Sequence, residues 1–281
     1  MSTNTKLSSK ELMEMEDQYG AHNYHPLPVV LAKGEGVYVW DAEGKKYYDF
    51  LSAYSAVNQG HCHPRIVGAL KDQAEVLTLT SRAFYNDALG VYEKYMSEYF
   101  GYDKMLPINT GVEAVETALK LCRKWAYLKK GIPENKAKII FASGNFHGRT
   151  LAVISASVDP DAREDFGPYL PGIEIIPYND LNALEAALKD ENVAGFIVEP
   201  IQGEAGVFVP DADYLPGVRR LCNENNVLFI ADEVQTGIAR TGRLLATCGN
   251  CSCEGNCENN YETRADILVL GKALSGGVFP V

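Results

Sequence analysis

The sequence has no excess of basic residues: 26 Lys and Arg stand against 37 Asp and Glu, a net charge of −11 over 281 residues. With no basic run to offset that balance, nucleic acid and anionic membrane surfaces are excluded as partners. Long hydrophobic runs are missing too. Apolar stretches such as Val227-Leu-Phe-Ile-Ala231 fall far short of the roughly 20 residues that cross a bilayer. The start lacks an apolar signal core and an arginine-rich amphipathic pattern, and acidic residues enter by Glu11, which predicts a cytoplasmic protein. No low-complexity tract and no repeat at solenoid spacing is present. What remains, 46% hydrophobic and 22% charged residues, is the composition of a soluble globular chain with one large core or two unequal domains.

Cysteine is sparse over most of the chain. Cys62, Cys122 and Cys222 are scattered as small buried hydrophobes are, which fits a reducing compartment. The other four fall within ten residues, as Cys248-x-x-Cys251-x-Cys253-x-x-x-Cys257. That spacing suits zinc or another soft metal, but the cluster has no histidine and no second, distant knuckle. A solvated loop with reducible thiols is the default, with a metal site at Cys248, Cys251, Cys253 and Cys257 as the alternative.

Ser8-Ser-Lys-Glu11 has the form of a capping box opening a short helix, with Leu12 and Met15 on one face. Two prolines then enforce an extended path through Tyr24-His-Pro-Leu-Pro28. Val37–Asp41 and Lys46–Phe50, joined across Ala42-Glu-Gly44, predict a hairpin. These elements make a small N-terminal α+β segment over residues 1–55. From Ile66 onward, helical patterns alternate with short apolar strands. The expected strands are Met105–Ile108, Ile139–Ala142, Ile173–Ile176, Gly195–Val198, Val227–Ile230 and Ile267–Leu270. The expected helices cover 66–77, 88–100, 112–128, 151–157, 181–188 and 214–223, and that of 112–128 carries Ala114, Ala118, Leu121 and Trp125 on one side. Such alternation indicates an α/β fold with a mostly parallel sheet covered by helices on both faces. In such sheets ligands bind beyond the carboxyl ends of the strands.

The residues at those ends carry chemistry. Asn109-Thr-Gly111-Val112 opens a helix, with Thr110 as cap and Gly111 allowing close approach, which makes an anion site. Many helices begin Thr-Gly, so this motif alone is weak. Gly144-Asn-Phe146-His-Gly-Arg149 offers an aromatic plate and a carboxylate fork; taken alone it is also a tight turn with a packed Phe and a solvated Arg. Glu199 and Glu204 need cationic partners or a ligand. Asp232 follows a run with no polar residue and suits a pyridinium counter-ion, or else caps the next segment. Lys272, at the mouth of the last strand, is placed to be desolvated and nucleophilic, though a strand-end lysine also reaches into solvent by default. Taken together, the five ends supply a phosphate cradle, a plate with an arginine, a diacid, an acid and a lysine. That combination fits pyridoxal 5'-phosphate. Tyr24 is either a packing aromatic or a hydroxyl aimed into a cleft.

Tyr19-Gly-Ala-His-Asn-Tyr24, Tyr54-Ser-Ala-Val-Asn-Gln-Gly-His61, Asn109-Thr-Gly-Val-Glu-Ala114, Glu199-Pro-Ile-Gln-Gly-Glu-Ala-Gly206, Ala231-Asp-Glu-Val-Gln-Thr-Gly237 and Leu270-Gly-Lys-Ala-Leu-Ser-Gly-Gly277 resemble the ornithine aminotransferase family. That family lies within the class III pyridoxal-phosphate-dependent aminotransferases of fold type I, and the resemblance runs from about Leu12 to the end. It implies that residues 56–281 are the pyridoxal-phosphate-binding large domain, incomplete, with a Cys-rich insertion at 247–260. It also implies that a C-terminal small domain is absent, the chain being a truncated product or fragment of a homodimeric enzyme.

Residue by residue, the resemblance makes Lys272 the Schiff-base lysine and Asp232 the pyridinium partner. Gln235 bonds the ring hydroxyl, Phe146 stacks on the ring, and Gly111 and Val112 hold the phosphate. Tyr24 and Arg149 hold the substrate, Tyr54 shapes the pocket for a terminal amine, and Glu204 screens a substrate-binding arginine. The implied reaction moves the δ-amino group of ornithine to 2-oxoglutarate or a related 2-oxo acid, giving glutamate 5-semialdehyde and glutamate. The alternatives are another class III aminotransferase, acting on acetylornithine or 4-aminobutyrate, and a non-catalytic fragment.

Overall fold

The computed structural model describes residues 7–250 and 262–278. Three of the four clustered cysteines, Cys251, Cys253 and Cys257, lie outside those residues; Cys248 is half-buried. Among the described residues no group of three or more His, Cys, Asp or Glu is placed to hold a metal. No described helix is long and apolar enough to cross a membrane.

Helix α1 (Ser9–Tyr19) opens with the expected capping box, Ser8 and Glu11 exchanging hydrogen bonds. An antiparallel sheet follows, β1 (Leu31–Glu35), β2 (Tyr38–Asp41) and β3 (Lys46–Tyr48). The hairpin of β2 and β3 is the expected one. β1 is an addition: it is exposed along most of its length, so it has no apolar alternation to betray it. A bridge from Gly36 to His61 ties this sheet to the residues beyond it.

After the short turn α2 (Ser52–Ser55) come α3 (Pro64–Ala74), α4 (Leu89–Phe100) and α5 (Gly111–Trp125). The second sheet is β4 (Lys138–Ala142), β5 (Ile173–Ile176), β6 (Val193–Val198), β7 (Leu228–Asp232) and β8 (Ile267–Val269), all parallel, in the order β5-β4-β6-β7-β8. Helices α6 (Leu151–Ile154), α7 (Pro160–Arg163), α8 (Leu181–Ala187) and α9 (Tyr214–Glu224) occupy the connections.

Alternate strand residues point to opposite faces, and the core divides accordingly. Ile140, Phe196, Val198 and Phe229 pack with Leu184 of α8 and Leu215 and Val218 of α9. Ile139, Phe141, Ile197 and Ile230 pack with Val115, Leu119 and Cys122 of α5. With both faces covered, each fully buried side chain contributes on the order of 1.5–3 kcal/mol.

Two expectations fail, at Cys62, which is exposed where Cys122 and Cys222 are buried, and at residues 105–108. Met105–Ile108 forms no strand; Pro107 has no N–H to offer a ladder, and these residues instead line an apolar cleft of about 460 Å³ beside β8. Ala114, Ala118 and Leu121 of α5 share one side, as expected, and line that cleft; the side buried under the sheet is Val115, Ala118, Leu119 and Cys122. On the cleft side Leu121 is 52% exposed.

Candidate active site at the carboxyl ends of the parallel strands

Because the five strands are parallel, their carboxyl ends share one edge, and a cleft of about 430 Å³ opens there. The start of α5 supplies Gly111 and Val112, and the turn after β4 supplies Phe146 and His147. Glu199 and Glu204 come from the end of β6, Asp232 and Gln235 from β7, and Lys272 from the turn after β8. Ala53, Ala56 and Val57 close it from the N-terminal side.

The first amides of a helix have no intrahelical acceptor. In α5 the Glu113 amide donates to Thr110 Oγ1 at 3.3 Å, which leaves those of Gly111 and Val112 at the edge of the cleft. The approach is tight: a Cβ on Gly111 would meet Val234 Cγ1 at 2.8 Å, and one on Gly148 would meet Val112 Cγ2 at 2.3 Å. A backbone cradle free of side chains, with the helix dipole behind it, suits a phosphate.

Asp232 is 4% exposed. One carboxylate oxygen accepts from His147 Nδ1 at 2.6 Å, the other from the Val234 amide at 3.0 Å. Burial alone would push the His147 imidazole down, but the hydrogen bond and charge of Asp232 and the charge of Glu199 prevail, so its pKa is raised. Its Nε2 is buried with no protein partner among the described residues. Glu199 accepts from the Phe146 amide at 2.9 Å, and burial pushes its carboxyl up to about 7. Lys272 has a left-handed backbone, φ 45°, uncommon outside glycine. Burial holds its amine below the usual lysine range, against the charges of Glu204, Asp232 and Glu199. A neutral amine is a nucleophile and a base.

Gln235 donates from Nε2 to Glu204 at 2.7 Å. Arg149 Nη2 donates to the Tyr24 hydroxyl at 2.6 Å, and its guanidinium lies 6.0 Å from the Phe146 ring centre. Seven of the ten residues expected to hold cofactor or substrate therefore line one cleft. Tyr24 and Arg149 form a pair next to Phe146 without lining it. Tyr54 does not line it either: it sits in a left-handed turn, 44% exposed, while Ala53, Ala56 and Val57 face the cleft.

His147 was not singled out from the sequence. Its partner is 85 residues away, and its one local signal is an ionisable side chain between Phe146 and Arg149.

The donors fit pyridoxal phosphate: an amide cradle for the phosphate, a buried carboxylate for a ring N–H, an aromatic plate 41% exposed, and a desolvated lysine. Comparison with known proteins points the same way. Residues 19–281 match the family model described as aminotransferase class-III. The chain is 64% identical to "Ornithine aminotransferase, mitochondrial" of Drosophila ananassae, over 97% of its own length and 61% of that protein's. It is 61% identical to the rat protein of the same name, over 98% and 60%. Among solved structures, an ornithine aminotransferase from Toxoplasma gondii with partial occupancy of PLP superposes with a TM-score of 0.92 at 51% identity, covering 97% of this chain and 62% of that one. An acetylornithine aminotransferase from Elizabethkingia anophelis superposes at 0.83 with 55% identity, covering 98% and 63%. The chain thus spans about three fifths of the length of the curated relatives it matches.

Proposed function

We propose, from the premise that this chain belongs to the class III aminotransferases, that it transfers the δ-amino group of L-ornithine to 2-oxoglutarate or a related 2-oxo acid. The products are glutamate 5-semialdehyde and glutamate. Class III aminotransferases are pyridoxal-phosphate enzymes. When bound, that cofactor supplies an aldehyde that links to amines and a ring that withdraws electrons.

The protein's part is to bind, orient and move protons. Lys272 would tether the cofactor through its amine and would hold or move a proton at Nζ. Burial, which lowers its pKa against the charges of Glu204, Asp232 and Glu199, favours the uncharged form that such a role uses. Asp232, steadied by its bond to His147, would keep the ring nitrogen protonated. Phe146 would lie against the ring, Gln235 would bond its hydroxyl, and the amides of Gly111 and Val112 would hold the phosphate. Tyr24 and Arg149, already paired beside the cleft, would hold the substrate, Glu204 would direct which amine reacts, and Tyr54, which does not line the cleft itself, would shape the terminal-amine pocket from its rim.

The single observation carrying this reading is the convergence of Lys272, Asp232, Phe146, Gly111 and Val112 on one cleft from four separate elements. Incubation with pyridoxal phosphate, borohydride reduction and peptide mass spectrometry test it. The expected result is one adduct, on Lys272, absent from Lys272→Ala; an adduct elsewhere, or none, overturns the reading. The acetylornithine aminotransferase neighbour keeps a second substrate in view. In an assay offering ornithine, acetylornithine and 4-aminobutyrate together, ornithine is consumed first; preference for another amine overturns the ornithine assignment alone.

The assembly we propose is a homodimer. Large exposed side chains between residues 79 and 99 support it, among them Leu79, Phe84, Tyr85, Tyr95 and Tyr99, and sedimentation as a monomer would overturn it. We also propose a cytosolic location, although relatives from Drosophila ananassae and rat are named as mitochondrial. Cell fractionation decides it, co-fractionation with a mitochondrial marker being the contrary result.

A further inference from the structure

Lys272 sits in a conformation that its own sequence does not favour. Its φ of 45° begins the 3₁₀ turn Lys272–Ser275, which ends at Gly276 in the left-handed region. A backbone of that kind persists only where its surroundings over-determine it. The surroundings come from the far end of the chain. Gln59 Nε2 donates to the Ala273 carbonyl at 2.7 Å, across 214 residues of sequence. The same carbonyl accepts the Gly276 amide at 3.1 Å, closing the turn. Among the described residues this is the one side-chain hydrogen bond between the segment 52–66 and the lysine's turn.

Gln59 is itself held. Next to it, Asn58 donates to the Ile238 carbonyl at 3.2 Å and pairs with Arg240. Beyond it, His61 pairs with Asp49 at 2.7 Å. Either side of the bond, the segment presses on the turn. A Cβ on Gly277 would lie 2.5 Å from Val57, and one on Gly276 would lie 3.0 Å from Ile66. Gln59 Oε1 is buried with no protein partner among the described residues. Leaving a buried oxygen unmatched is costly, and the hydrogen bond that offsets it here is the one from the Gln59 nitrogen to Ala273.

We infer that Gln59 is a positioning residue for Lys272, fixing the amine in the cleft through the Ala273 carbonyl. The inference rests on the reading of Lys272 as the cofactor-linking residue. Gln59 touches neither the reacting atoms nor the expected cofactor, so its effect passes through the placement of the amine. Loss of the bond lets the turn relax toward an ordinary backbone and lets water reach Lys272. The groups facing that amine, Glu204, Asp232 and Glu199, stay where they are.

The test is the pH dependence of labelling of Lys272 by an amine-reactive acylating reagent, read peptide by peptide by mass spectrometry on the protein without added cofactor. Gln59→Leu removes the donor at similar volume, and Gln59→Glu keeps the shape while turning the donor into an acceptor. Lys130 is the internal control. It too is held below its ordinary range by burial, but it bonds the carbonyls of Val193 and Asn225 at the opposite end of the sheet. In both variants the pH of half-maximal labelling of Lys272 rises by at least about half a unit, a roughly threefold slower labelling below it; Lys130 does not move.

An unchanged Lys272 curve in both variants overturns the inference, and so does an equal shift of Lys130, which would mean general loosening. Borohydride trapping on the wild-type protein separates the two readings. If wild type forms no adduct at Lys272, the cofactor assignment falls, whichever way the labelling curves go.

Discussion

Asp232 and Glu233 are neighbours in the chain, both carboxylates, both buried, and their surroundings differ in kind. Asp232 looks into the cleft, where His147, Glu199 and Lys272 share its field. Glu233 looks away from it and is saturated: Thr236 Oγ1 at 2.6 Å, the amides of Ala246 and Thr247 at 2.9 Å, and Thr247 Oγ1 at 3.0 Å all donate to it. Thr263 in turn donates to the Thr247 carbonyl at 3.1 Å. A buried carboxylate whose donors are all protein holds structure together. One that shares its field with a desolvated amine and an imidazole nitrogen that has no protein partner among the described residues is arranged for something that arrives later. Burial alone does not separate these cases; the completeness of the hydrogen-bond partners does.

The largest effect expected from that contrast lies on the structural side. Glu233→Ala strips the acceptor from four donors and leaves buried amides unpaired, at a cost of about 3–5 kcal/mol in chemical denaturation. Glu204→Ala, on the cleft side and exposed, stays within about 0.5 kcal/mol. Equal costs for the two would break the comparison.

What the sequence reveals of this division follows from range. The capping box at Ser8 and Glu11 is legible because both partners lie within one turn of helix. Strands β4, β6 and β7 are legible because residues buried on both faces read as continuous apolar runs. Once the sheet is parallel, its carboxyl edge places Asp232 and Lys272 on one cleft. Strand β1 stays hidden, since Leu31–Glu35 is exposed and unpatterned. Which side of α5 meets the sheet stays hidden because Ala114 and Leu121 are as apolar as Val115, Leu119 and Cys122. His147 and Gln59 are missed because their partners, 85 and 214 residues away, have no local signature.

Glu199 sharpens the contrast through pH. Its carboxyl is raised to about 7 by burial, from an ordinary 4.5. The native state therefore holds this proton more tightly than the unfolded chain. The resulting stability is fully present below pH 4.5 and is lost as pH rises through 7. Glu199→Gln stays neutral throughout. Between pH 5 and pH 8 the variant gains about 2–3 kcal/mol over wild type, read as the difference between their denaturation curves at each pH. A flat difference would place Glu199 with Glu233 among the satisfied structural carboxylates.

Among the paired carboxylates the smallest effect is expected at the other end of the sheet, where Lys138 and Asp190 pair at 2.6 Å with Glu174 at 3.9 Å. The Lys138 hydrogen bond, with the Asn192 amide and side chain, holds the Asp190 carboxyl down at about 2. A lowered carboxylate stabilises above its ordinary pKa and loses that contribution as pH falls, here between about 4 and 2. A shift that large would convert to more than 2 kcal/mol in a dry site, but these side chains are 41% and 31% exposed, and solvent and salt screen them. Asp190→Asn also keeps an oxygen for the Asn192 amide, bonded now at 2.9 Å. The expected cost is therefore under about 1 kcal/mol at pH 7, shrinking further in 1 M salt. A cost above that of ionising Glu199 would mean that the amino end of the sheet, and not the cleft, is where this protein concentrates its electrostatic energy.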